Sequence, residues 1–159
     1  IAIVSGYFST YLTDKVKLID GTGRANNEVF EDGMVRALDN ISKASDRVIL
    51  ILDVPELNKV KANCDVRVKS LDLTRNCVIS VDDIKLRDRQ YLEVINRLKI
   101  KFPKLEIVNL NTVLCDQISC NTSLNNIPLY RDKDNNHLSY FGAKELGKEY
   151  LEIRENPLK

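Results

Sequence analysis

The run Val48-Ile49-Leu50-Ile51-Leu52-Asp53 constrains this chain more than any other segment. It is apolar from Val48 to Leu52, rich in β-branched residues, and shows no alternation with polar positions. A strand of that kind buries both of its faces, as strands of a parallel sheet do beneath covering helices. Val54-Pro55 ends it, because proline has no N–H to give to a strand ladder.

The remaining periodicities fall into place around that strand. Ile1 to Val4 reads as a buried strand that gives way to Ser5-Gly6, and Leu105 to Leu110 reads as another. Phe30, Met34, Ala37, Leu38 and Ile41 recur on one helical face. A second helix is expected at about 83–101, with Ile84, Tyr91, Ile95, Leu98 and Phe102 on one side and Pro103 as its stop. Ser139 is a suitable N-cap for a last helix at about 140–154, turning Ala143, Leu146, Tyr150 and Ile153 inward. Thr112 to Cys120 reads as short and partly helical, and Ile127 to Tyr130 as a short extended piece. Residues 13–27 and 56–81 read as connections. Alternating strands and helices give an α/β fold: a three-layer parallel sheet with helices on both faces, in one domain spanning 1–159. The chain opens inside a strand and without Met, so it is expected to be a piece of a longer protein.

In such sheets ligands bind beyond the carboxyl ends of the strands. Those ends are Ser5-Gly6, Asp53-Val54-Pro55 and Asn109 to Asn111. Charge narrows what can bind there. The net charge of +1 comes from interspersed signs, without the basic stripe that nucleic acid or an anionic membrane surface requires. No apolar run approaches the ~18 residues of a membrane span, and no signal peptide is expected within these residues.

The four cysteines form two local pairs in sequence, Cys64/Cys77 and Cys115/Cys120, which leaves three pairings open. Neither has the Cys-x-x-Cys spacing of a zinc or redox motif, so no metal is expected. They read either as reduced thiols of a cytosolic protein or as two local disulfides of an oxidising compartment. Their polar, loop-like surroundings favour the second.

The only histidine, His137, is the only side chain whose unperturbed proton equilibrium lies near neutrality. Asp134 stands three residues before it, where a carboxylate can orient the ring through Nδ1 and leave Nε2 to act as a base. Asp132 is the competing partner. Ser5, beside Gly6, is the internal candidate nucleophile, but a nucleophile elbow needs a helix directly after the turn and none is expected there. Ser5 reads better as a plain strand-end serine or as a residue lining a pocket, and Gly6 as an oxyanion or pocket residue. Asp53 reads as a strand-end carboxylate that bonds backbone amides, or as a supporting acid.

The stretch Tyr130-Arg131-Asp132 … His137-Leu138-Ser139-Tyr140-Phe141-Gly142-Ala143 resembles the ending of SGNH-type hydrolase domains. The nearest likeness is to the SGNH domains attached to membrane acyltransferase-3 proteins, which O-acetylate bacterial surface polysaccharide such as O-antigen. Asp53-Val54-Pro55-Glu56-Leu57 resembles that group's Pro-containing segment after a core strand, and Phe8-Ser9-Thr10-Tyr11 its aromatic-Ser-x-Tyr segment. Cys115 with Cys120, and Cys64 with Cys77, sit where its cysteines fall. The resemblance implies disulfides and a periplasmic location, with the full-length protein tethered to the inner membrane.

It also implies a Ser-His-Asp acyl-enzyme mechanism with His137 as base and Asp134 as its orienter. No cofactor is implied. The acyl donor would come from a membrane acyltransferase domain and the acceptor would be a carbohydrate; the isolated domain is expected to be a monomer. The family's Gly-Asp-Ser nucleophile motif is absent from these residues, as is its Gly-x-Asn-Asp block. Family order places Gly-Asp-Ser upstream of Ile1, so the first strand and the serine are expected to precede this sequence. Without that serine the fragment itself is expected to be inactive. A non-catalytic module that positions the glycan acceptor is the other reading of the same resemblance.

Overall fold

Three strands assemble around the Val48–Leu52 run. In the computed structural model, β1 (Ala2–Val4), β2 (Val48–Ile51) and a later strand, Glu106–Val108, form a parallel sheet with β2 in the centre. The structure describes residues 1–12, 16–18, 20–21, 23–56, 78–131 and 136–159. In chain order the other elements are a 3-10 helix (Phe8–Leu12), α1 (Asn26–Ala44), β3 (Val78–Ser80) and α2 (Val81–Lys101). After β4 (Glu106–Val108) come α3 (Asn111–Leu114), β5 (Ser119–Asn121), β6 (Ser123–Leu124), β7 (Ile127–Pro128) and α4 (Tyr140–Ile153). The expected α/β class with a parallel sheet is what the chain adopts.

The chain divides into two compact units. The first comprises Ile1–Asp53 and Arg87–Asn109, with Leu158; the second comprises Val54–Leu86 and Leu110–Pro157, with Lys159.

The first unit holds the parallel sheet, with Val4, Leu50 and Ile107 in register across it. Val48, Leu50 and Leu52 alternate onto one face and pack with Phe30, Met34 and Leu38 of α1. Tyr91, Val94, Ile95 and Leu98 of α2 join the same cluster. The helical spacing and the strand spacing thus meet in one core, where each fully buried large aliphatic side chain contributes roughly 2 kcal/mol. At the amino end of β2, the Arg47 guanidinium grips Glu106 through two bonds of 2.8 and 2.9 Å. That pairing holds the Glu106 carboxyl below the usual carboxylate range.

β1 corrects one expectation. It is the sheet's edge strand, so Ala2 and Val4 are only half-buried and Ile3 is 52% exposed.

The second unit is built on antiparallel ribbons, where the sequence pattern suggests little more than connections. β3 pairs with β5 through Ile79↔Cys120, and β6 pairs with β7 as a hairpin. The hairpin turns on Asn125 and Asn126, whose φ values of 47° and 66° lie in the left-handed region that asparagine tolerates. The Asn125 side-chain amide donates to both Glu145 and Glu149 of α4 at 2.7 Å, tying the turn to that helix. Leu114, Cys120, Leu129, Tyr130 and Leu146 form this unit's core, joined by Ile79 of β3 and Ile84 from the first turn of α2.

Cys115 and Cys120 are joined by a disulfide, as one of the expected local pairings has it. Cys64 and Cys77 lie outside the described residues. With Cys120 fully buried, the cross-link closes a short loop against the second core. By the chain-entropy relation such a loop contributes roughly 2 kcal/mol. Urea denaturation of the Cys115→Ser/Cys120→Ser variant should show a loss of about that size relative to the oxidised chain.

Candidate functional site

The segment around His137 is fixed by backbone bonds on both sides. Tyr130 and Leu138 form an antiparallel bridge. The Arg131 N–H donates to the His137 carbonyl at 3.0 Å, and the Ser139 N–H donates to the Leu129 carbonyl at 2.7 Å. Tyr130 is buried and its hydroxyl donates to the Pro55 carbonyl, so the strand beneath the loop is anchored in its turn.

Immediately after the loop, Ser139 caps α4 as its sequence position suggests. Its Oγ accepts from the Gly142 N–H at 2.9 Å and donates to the Pro128 carbonyl at 3.0 Å. Gly142 then lies directly on the Leu129 backbone: a Cβ built there would stand 2.3 Å from the Leu129 carbonyl oxygen. The buried face of α4 therefore differs from the expected one at Ala143 and Ile153, while Leu146 is buried as expected and Tyr150 is half-buried. Gly142 and Leu146 are buried, whereas Ala143 is exposed and Ile153 is 55% exposed.

His137 itself is exposed on this pinned frame. Asp134 and its competitor Asp132 lie outside the described residues.

Ser5 and Gly6 belong to the first unit and are exposed at the carboxyl end of β1. They lead into the five-residue 3-10 helix and not into the α-helix of a nucleophile elbow. The N-terminus of that short helix is held by Asp53, which bonds the Phe8 and Ser9 amides as expected of a strand-end aspartate. Sequence pattern gives no sign of the buried Asp88 or of the Tyr91 hydroxyl beside it. Burial, and next the charge on Asp53, push that hydroxyl well above the usual phenol range.

A cavity of about 610 Å³ in the first unit is lined by Leu38, Asp46, Val48, Phe102 and Leu105, among others. It lies at the amino ends of β2 and β4, the opposite edge from the one where parallel sheets take their ligands. Among the described residues no group of three or more His, Cys, Asp or Glu side chains could hold a metal ion. None of the described helices is long and apolar enough to cross a membrane.

Residues 1–152 match the family model of the SGNH domain fused to AT3 domains. The chain belongs to that family. The resemblance read from the His137-Leu138-Ser139 segment and the cysteines is thereby confirmed over nearly the full length. No curated protein matches the chain. Among solved structures, this SGNH domain is similar to the periplasmic domain of a lipopolysaccharide acetyltransferase from Salmonella ser. Paratyphi A. The two are 21% identical with a TM-score of 0.55, over 86% of this chain and 53% of the other. The SGNH domain therefore spans about half the length of that relative, and the likeness is one of fold.

Proposed function

We propose that this chain, as one SGNH-like domain, serves O-acyl chemistry on a bacterial cell-surface carbohydrate outside the cytoplasm. The favoured reaction is acetyl transfer to a sugar hydroxyl, with hydrolysis of such an ester as its simpler form. Membership of the SGNH domains fused to AT3 domains carries this reading. The Cys115–Cys120 disulfide supports it, because such bonds persist in oxidising compartments.

In the proposed mechanism a serine outside this sequence is the nucleophile, since no Gly-Asp-Ser occurs in it. His137 Nε2 takes the serine proton as Oγ attacks the acetyl carbonyl, then returns it to the leaving donor oxygen. A sugar hydroxyl attacks the acyl-serine next, its proton passing to Nε2 and from there to the released serine. With water as the second nucleophile the same sequence is hydrolysis. Asp134 holds the Nδ1 proton and stabilises the imidazolium. Ser5 and Gly6 are proposed to border the acyl group. The acyl donor would be delivered by the membrane acyltransferase domain, tethered to the inner membrane.

The absent Gly-Asp-Ser also favours a second reading, a non-catalytic module that positions the glycan acceptor. The two separate by experiment. The 159-residue chain should turn over p-nitrophenyl acetate little or not at all. Robust turnover that survives His137→Ala would overturn the mechanism, and turnover lost in both His137→Ala and Ser5→Ala would make Ser5 the nucleophile. In cells making the full-length protein, His137→Ala should abolish O-acetyl groups on surface polysaccharide, read by NMR. Acetylation that persists there leaves the domain a positioning module.

A further inference from the structure

The Asp53 carboxylate closes over the turn after β1. It accepts the Phe8 N–H at 3.1 Å and the Ser9 N–H at 2.8 Å, and the Ser9 hydroxyl adds a further bond. Asp53 is 7% exposed and Ser9 4%, so these charge-assisted bonds form away from water, where they are stronger. The Phe8 ring carries the connection back to the strand end. A Cβ built on Gly6 would stand 2.9 Å from Phe8 Cε1, which places the Gly6 backbone against that ring. The ring also meets Phe30 of the core, with centroids 6.1 Å apart.

We propose that Asp53 is a positioning residue for Ser5-Gly6: its carboxylate fixes Phe8, and the Phe8 ring fixes Gly6. The proposal rests on the reading that Ser5 and Gly6 border the acyl group.

The groups facing Asp53 decide how the clamp responds to pH. Phe8 and Ser9 face it from the 3-10 helix, and Asp88 and Tyr91 face it from α2. Asp88 is itself paired with Arg87 at 2.6 and 2.8 Å. Burial pushes the Asp53 carboxyl above the usual carboxylate range and the charge of Asp88 adds to this, while the Ser9 and Phe8 bonds oppose it. A carboxyl raised on folding binds its proton more tightly in the folded chain. Its contribution to stability is therefore present at low pH and lost as pH rises through the folded value. Protonation on acidification removes acceptor capacity from the clamp without unfolding the chain through this group.

Amide spectra of the 159-residue chain, recorded from about pH 7.5 down to about pH 4, test the coupling across the carboxylate range. The Phe8 and Ser9 amides should titrate with a midpoint above the ordinary aspartate value, and those of Ser5 and Gly6 should move with them. Asp53→Asn should abolish the shared transition. Two variants keep the carboxylate in place: Ser9→Ala should move the midpoint up, and Asp88→Asn should move it down. Ser5 and Gly6 amides that stay fixed while Phe8 and Ser9 titrate would overturn the proposal, as would a transition that persists in Asp53→Asn. In the full-length protein Asp53→Asn should lower kcat/KM for acetyl transfer roughly tenfold or more, as misplaced site groups do. Coupled amides with no acetyl transfer by any form of the protein would remove the acyl reading and leave the clamp. Decoupled amides with transfer intact would remove the clamp alone.

Discussion

Gly142→Ala should unfold the second unit more readily than any other single-methyl change in the chain. The added Cβ would stand 2.3 Å from the Leu129 carbonyl oxygen and 2.5 Å from its Cα. Both are backbone atoms, so no rotamer change relieves the overlap. Either α4 moves off the Leu129 strand or the strand moves, and in both cases the Ser139 cap and the buried Leu129 and Leu146 lose their packing. Overpacking of this kind costs roughly 3 kcal/mol, at the upper end for small-to-large changes. Urea denaturation followed by circular dichroism should show a lowered midpoint. Gly147→Ala, one and a half turns further along α4, is the internal control. A Cβ there meets nothing within 4 Å. Alanine should therefore stabilise α4 by up to about 1 kcal/mol through helix propensity alone. Equal effects from the two substitutions would show that the close approach of Gly142 to Leu129 does not govern this unit.

The same glycine shows where the sequence is legible and where it is not. Helical periodicity identifies α1 and α2 by their buried faces, since Phe30, Met34 and Leu38, and Tyr91, Ile95 and Leu98, obey a spacing that local chain geometry imposes. The β2 run is legible for a like reason: a central parallel strand has no solvent face to encode. β1 is only half-buried because it stands at the edge of the sheet that the described residues form, a placement its isoleucine and valine do not encode. The face of α4 misleads because its orientation is set by a missing side chain at Gly142, which carries no weight in a hydrophobic pattern. The β6–β7 hairpin has a signal in Asn125-Asn126, but it is weaker than Asn-Gly and its strands are two residues each.

The site obeys the same division. His137, Ser139 and the Cys115–Cys120 pair can be picked out by residue type and spacing. The clamp of Asp53 on the Phe8–Ser9 turn joins residues about 45 positions apart, and no local pattern announces so distant a partner.

Under the proposed mechanism, His137→Ala should have the largest effect on activity of any single change within these residues. In a serine–histidine mechanism both proton transfers pass through one nitrogen, and removing the base of such a triad lowers kcat by on the order of 10⁴-fold or more. The effect should be confined to chemistry. His137 is exposed, and the backbone bonds of its segment run through its carbonyl and through Arg131, Leu129 and Ser139. Alanine keeps these backbone bonds, and a change at an exposed position should alter stability by about 0.5 kcal/mol or less. Asp134→Asn should cost a comparable factor by leaving the imidazole in the wrong tautomer, whereas Asp132→Asn should cost little. The double variant separates a triad from two independent contributions. If Asp134 acts only through His137, adding Asp134→Asn to His137→Ala should reduce acetyl transfer no further. Under the proposed mechanism the serine lies outside these residues, so the rates are to be read on a longer protein that carries it, as acetyl groups transferred to surface polysaccharide. Retention of a tenth of the wild-type rate by His137→Ala would remove this histidine from the reaction.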